Sequence, residues 1–262
     1  KKKVKTIITI HDMIHELYPK YFKNSKKYIE AKKSAVKNAD HIICISKNTQ
    51  NDLINILGVK HEKTSVIHHG FMSEKNSKVF PKPIFKKPYL LFVGSRYGYK
   101  NFAKLLSVYC LNKDLNKNYN LVAFGGGSFS KKEKRYITEM GLSSENILQI
   151  TGDDDLLKEF YRNASLFIYP SLYEGFGLPL LEAMSCGCPV ACSHTSSMPE
   201  IAGNAASFFD PNSSVSINKV INLILTDENK KIDLINKGYE RIKKFGWEKC
   251  VKLTLEEYKN LL

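Results

Sequence analysis

The sequence predicts an α/β protein made of two units, each a parallel sheet covered on both faces by helices. Three observations predict it. Short apolar runs alternate with helical stretches of about ten residues along most of the 262 residues, the pattern of repeated βα units. The runs are mostly apolar, as expected of strands covered on both faces. A polar stretch at 72–88, with Pro81, Pro83 and Pro88, breaks the pattern once and reads as an interdomain linker.

Taken in order, Val4–Ile10 reads as a buried strand ending in His11-Asp12. Tyr21–Ala39 reads as a helix whose apolar side uses Phe22, Ile29, Ala35 and Val36, and whose other side is dense in lysine. His41–Ile45 is a strand. Ser46 is an N-cap for a helix through Leu57, and Gly58 stops it. Ser65–His68 is a third strand. Beyond the linker come strands at Tyr89–Val93, Asn120–Phe124, Ile147–Ile150, Ser165–Tyr169, Pro189–Cys192 and 207–209. Helices fall at Asn101–Leu111, Lys131–Met140, Asp155–Asn163 and Pro179–Ser185, the last closed by Gly187.

Composition narrows the function classes. The net charge is +14, and residues 1–87 hold 19 lysines against 7 acids, while residues 88–262 hold 21 basic residues against 19 acids. Such a field attracts anionic partners; a lysine-rich composition that keeps surfaces solvated accounts for it equally. No run approaches the roughly 18 apolar residues of a membrane span, and the N-terminus lacks the small-residue cleavage site of a secretory signal. The six cysteines (44, 110, 186, 188, 192 and 250) show neither CxxC nor zinc-ligand spacing and read as reduced, buried thiols. No metal site is expected.

Two segments carry chemistry. In Ser171–Pro189, SLYEGFGLPLLEAMSCGCP, Glu174 precedes Gly175 and Gly177, Pro179 fits a first helical position, and Glu182 is expected in the first turn. Glycines before a helix N-terminus make an anion site able to take a diphosphate; on residue types alone, an ordinary strand-loop-helix reads the same. In Phe92–Phe102, FVGSRYGYKNF, Arg96 and Lys100 follow Gly94 at a strand's C-terminal end, where open α/β sheets bind ligands.

Together the two segments resemble glycosyltransferase family 4, the retaining GT-B enzymes. The hallmark is a Glu, seven residues and a second Glu in an EGFGLPxLEA-like run, met here by Glu174 and Glu182. The neighbouring TGDDDLLKEFYRNASLFIYPS, GCPVACSHTSSMPEIAGNAASFFDP, HHGF and FGWEKCVKLTLEEYKNLL also fit. The resemblance implies two Rossmann-like lobes: 1–82 a shortened N-terminal acceptor lobe, 83–246 the nucleotide-sugar lobe, and the helix 247–262 packing back on the first. It implies transfer of a hexose, mannose favoured, from a GDP- or UDP-linked donor to a glycan or lipid-linked acceptor, without a metal cofactor.

The roles it implies are these. Arg96 and Lys100 bind the diphosphate, with Gly94 beside them. Glu174 meets the donor sugar's hydroxyls and Glu182 the ribose. The backbone of Gly175, Phe176, Gly177 and Leu178 meets sugar and phosphates, and His11 faces the sugar from the N-lobe. Gly125–Gly127 resembles a loop near the nucleotide, though a plain turn reads the same. His68 and His69 read as structural. Lipid-linked acceptors of such enzymes suggest a cytoplasmic protein whose Lys20, Lys23, Lys26, Lys27, Lys32, Lys33 and Lys37 rest on anionic lipid. The alternative from another class is a non-catalytic sugar-nucleotide-binding scaffold of a polysaccharide assembly. No aromatic-basic interleaving supports a nucleic-acid reader.

Overall fold

The computed structural model describes residues 4–72, 84–143 and 145–261. Most of the expected linker, 73–83, lies outside the described residues. Two parallel sheets form, as the α/β reading expects.

The first holds β1 (Ile7–Ile10), β2 (His41–Cys44) and β3 (Thr64–Val66) in that order. Around it run α1 (Ile14–Leu17), α2 (Ser25–Asn38) and α3 (Lys47–Leu57). Helix α3 begins and ends as its sequence dictates. The Ser46 side chain accepts from the Thr49 N–H, and Gly58 closes the helix in the left-handed region at φ 64°.

The expected helix 21–39 is corrected. Pro19–Tyr21 form a 3-10 turn and Asn24 takes φ 60°, so α2 starts at Ser25. Phe22 leaves the helical path to pack on His15, 4.4 Å between ring centroids, and on Tyr99 of the second unit, at 5.8 Å. Of the four apolar positions expected to face inward, only Val36 is buried, and Ala35 is exposed. Lys32 also leaves the solvated face, pairing at 2.8 Å with the Glu16 carboxylate.

The second sheet holds six strands: β4 (Tyr89–Val93), β5 (Asn120–Phe124), β6 (Ile147–Ile150), β7 (Leu166–Tyr169), β8 (Val190–Ser193) and β9 (Ser207–Phe209). Their spatial order is β6-β5-β4-β7-β8-β9, all parallel. Counted from β4 this is the doubly-wound 3-2-1-4-5-6 order, which reverses between β4 and β7. The four inner strands bury both faces. Tyr89, Leu91 and Val93 of β4 enter one core, while Leu90 and Phe92 enter the other.

Helices α4 (Phe102–Leu111), α5 (Lys113–Asn118), α6 (Lys131–Glu139) and α7 (Asp154–Asn163) connect the first four of these strands. Then follow α8 (Leu178–Ser185), α9 (Met198–Ala202), α10 (Ser214–Thr226), α11 (Glu228–Ile242) and α12 (Trp247–Leu261). Pro179 stands second in α8, after Leu178, and Glu182 lies in its second turn rather than its first. Glu257 of α12 reaches His41 of β2 at 3.4 Å, so the last helix touches the first sheet.

The units meet where strand ends face each other. A Cβ on Gly175 would lie 2.0 Å from the His11 carbonyl oxygen, so only glycine fits there. The Tyr173 hydroxyl donates to Asp52 at 2.7 Å and accepts from the Met13 N–H at 3.3 Å. Gly175→Ala is therefore expected to destabilise the protein by about 1–3 kcal/mol, the usual cost of overpacking. Urea denaturation measures it, and an unchanged midpoint would contradict the contact.

Candidate active site

The sheet reversal between β4 and β7 creates a crevice at their C-terminal ends, the place where open α/β sheets take ligands. The loop after β4 carries Gly94, Arg96 and Lys100, and the loop after β7 carries Glu174–Leu178. Across the crevice Lys100 Nζ meets Glu174 Oε1 at 2.8 Å and the Tyr169 hydroxyl at 3.2 Å. Both charged side chains are largely buried. Burial, and then the Glu174 charge, hold the Tyr169 hydroxyl well above its ordinary pKa, so it stays protonated.

The loop after Glu174 is fixed by its carbonyls. The Ser197 hydroxyl donates to the carbonyl oxygens of Glu174 and Phe176, both at 2.8 Å. The Ser46 hydroxyl, from the other unit, donates to the Gly175 oxygen at 2.7 Å. A trans peptide sets its N–H opposite its carbonyl. The N–H groups of Gly175, Phe176, Gly177 and Leu178 accordingly meet no protein acceptor among the described residues. Gly177, at φ 108°, has no side chain to cap α8. Helix α3 starts differently: the Glu200 carboxylate accepts from the Lys47 and Asn48 N–H groups at 2.9 and 3.3 Å. Burial pushes Glu200 up, but those bonds and His68 at 2.7 Å outweigh it and hold the carboxyl below its ordinary value.

His11 extends toward this loop from the end of β1. Its Nδ1 lies 3.2 Å from His69 Nε2, with the two rings stacked at 5.2 Å. His69 in turn meets the Phe176 ring edge-on at 5.5 Å. Phe176 is buried, so its side chain belongs to the core beneath the loop. His69 is the residue that the sequence reading set aside as structural; the sole signal was its place at the end of a strand.

Two expected residues stand apart from the Lys100–Glu174 pair. Arg96 is packed over Phe129, 4.6 Å from the ring centroid, and donates to Glu133, the Gly125 oxygen and the Ser128 oxygen at 2.8–3.0 Å. It thereby holds the Gly125–Gly127 turn, whose three residues all have positive φ. Glu182 accepts from the Tyr161 hydroxyl at 3.1 Å. Among the described residues no group of three His, Cys, Asp or Glu converges as a metal cluster, and no helix is long and apolar enough to cross a membrane.

Comparison with known proteins gives the family and the fold. Residues 72–241 match the family described as glycosyl transferases group 1, and residues 1–75 match glycosyltransferase family 4. The O-antigen chain mannosyltransferase B of Escherichia coli is 30% identical over 98% of this chain and 71% of its own length. The serotype-specific mannosyltransferase WbdA of the same organism is 29% identical over 98% of this chain but only 34% of its own length. The structure of Anabaena Alr3699/HepE in complex with UDP and glucose superposes with a TM-score of 0.81 at 19% identity, covering 98% of this chain and 72% of that one. That likeness shows the GT-B fold.

Glu182 yields a prediction. Burial raises its pKa above the ordinary 4.5, the Tyr161 hydrogen bond opposing. The native state then binds the proton more tightly than the unfolded chain, so stability falls as pH rises above 4.5 through the raised value. Glu182→Gln removes that loss. At pH 7 the variant is expected to melt higher than wild type, by about 2–4 °C per kcal/mol relieved, with the gap closing toward pH 4. A lower melting temperature at pH 7 in calorimetry would refute this.

Proposed function

The chain belongs to the group 1 glycosyl transferases, and on that premise we propose that it moves a hexose, mannose first, from a nucleoside diphosphate-sugar to a hydroxyl of a glycan or lipid-linked acceptor, with retention at the anomeric carbon. The reaction would serve polysaccharide assembly. GDP-mannose is the favoured donor because the relatives above are named mannosyltransferases; UDP-sugars come next. The single observation that carries the reading is the set of acceptor-free N–H groups at Gly175–Leu178 beside the Lys100–Glu174 pair.

The chemistry follows from these groups. The leaving diphosphate gains negative charge as the glycosidic bond breaks. Four backbone N–H groups and the start of α8 are dipoles fixed before the reaction, and they stabilise that charge without reorganising. Lys100 adds a full charge, and in the complex it exchanges part of its bond to Glu174 for the phosphate. Glu174, so released, accepts from sugar hydroxyls. Glu182 accepts from the ribose. Arg96 has spent three of its five N–H donors on the glycine turn. It acts chiefly by holding that turn against the nucleotide and lends the remaining donors to the diphosphate. No resident metal is part of the proposal.

The acceptor side is proposed to lie on the basic first unit, at the cytoplasmic face of a membrane. Lys33, Lys37, Lys60 and Lys63 rim a hollow of about 550 Å3 floored by Val36 and Leu57. Lys32, tied to Glu16, is not available to lipid.

The test is transfer from GDP-mannose to α-linked mannobiose, with the product linkage read by NMR. An α-linked product is expected, and Lys100→Ala should lower kcat by about 10²-fold or more while circular dichroism stays native. A β-linked product, or native turnover in the variant, overturns the reading.

A further inference from the structure

His11 and His69 share one hydrogen bond, and that bond has to choose a tautomer. With Nδ1 of His11 3.2 Å from Nε2 of His69, one hydrogen lies between the nitrogens when both rings are neutral. Two arrangements satisfy this. In one, His11 donates from Nδ1, and both rings must adopt the Nδ1–H form. In the other, His69 donates from Nε2, and both rings keep the Nε2–H form. Free neutral histidine favours the Nε2–H form, so the second arrangement costs neither ring its preferred tautomer.

His69 is suited to the donor role. Burial, and then the neighbouring His11, lower its pKa, so the ring is neutral at pH 7. Its ring is held by the hydrogen bond to His11, with the two planes 25° apart, and by Phe176 edge-on at 5.5 Å. Phe176 is itself held by its carbonyl bond to Ser197 and by Phe245, edge-on at 5.8 Å. The far nitrogen of His11 has no protein partner among the described residues, and the His11 ring is exposed.

We propose that His69 is a positioning residue that donates Nε2–H to His11 Nδ1, fixing His11 as the Nε2–H tautomer, a neutral hydrogen-bond donor aimed at an oxygen of the sugar being transferred. The last step rests on the functional reading above; the tautomer does not. Acting through His11, His69 couples the ring's orientation to the Gly175–Leu178 loop, because Phe176 belongs to that loop. A hydroxyl or ring oxygen of the donor sugar is the matching acceptor, and a cation is not.

The experiment uses the 15N-histidine-labelled chain at pH 7 without ligand, with tautomers read from long-range 1H–15N correlations. His11 is expected in the Nε2–H form in wild type and as a tautomer mixture in His69→Phe. His69→Gln, whose amide can donate to Nδ1, is expected to restore the single form. With GDP-mannose, His69→Phe should raise the donor KM or lower kcat by at least tenfold, and His69→Gln should recover most of the loss. An Nδ1–H form of His11 in wild type, or a single Nε2–H form persisting in His69→Phe, overturns the proposal. Should the phenylalanine variant fail to fold, the wild-type tautomer and the glutamine variant still decide it. The expected tautomers with no sugar transfer in wild type would instead sink the functional reading and the sugar-directed half of this one.

Discussion

The approach of the Gly175 backbone to the His11 carbonyl sets the geometry of the cleft. Any side chain at 175 would place a carbon 2.0 Å from that oxygen. With glycine there, the loop after β7 can lie against the end of β1. Ser46 and Thr49 then reach the Gly175 oxygen at 2.7 and 3.3 Å, and His69 reaches Phe176. The carbonyls of Glu174, Gly175 and Phe176 are taken up by serine and threonine hydroxyls from both units, and the N–H groups of Gly175–Leu178 meet no acceptor among the described residues. The anion site proposed here would arise from satisfying the carbonyls, with Lys100 adding its charge beside it.

The contrast between two helix starts explains how the same device serves structure and chemistry. At α3 the protein supplies its own anion, Glu200, from the other unit, and that bond joins the sheets. At α8 no such carboxylate is found among the described residues. Both starts follow strands of parallel sheets at the C-terminal edge, so the fold produces two equivalent positive ends, and one side chain decides which is used for cohesion. The Lys100–Glu174 pair belongs to the same balance. It keeps two largely buried charges neutralised; under the proposed function an anion and a set of hydroxyls would take each partner separately, which would limit the desolvation penalty of a prebuilt site.

Much of this was legible in the sequence, for identifiable reasons. β4 and β5 match their expected bounds because strands buried on both faces read as mostly apolar runs, and β6 matches its bounds although only Ile147 of it is buried. Helix α3 was legible because Ser46 and Gly58 act locally. The start of α2 was not: Asn24 in the left-handed region and Phe22 packed on Tyr99 are tertiary outcomes that leave no mark in periodicity. The β4–β7 neighbourhood was equally hidden, since strand order depends on crossovers. Lys100 and Glu174 could be named from their motifs but not paired from them. His69 was invisible as a site residue, because its partner lies 58 positions away.

The most direct measurement of the central claim is an amide 1H–15N titration of the labelled chain with GDP and with UDP. The N–H groups of Gly175–Leu178 meet no protein acceptor among the described residues, so a bound diphosphate should move these resonances most, together with the Lys100 ammonium. The Lys47 and Asn48 amides, already occupied by Glu200, should stay put. Shifts centred instead on the Lys33–Lys37–Lys60–Lys63 hollow, with the 175–178 amides unmoved, would contradict the account.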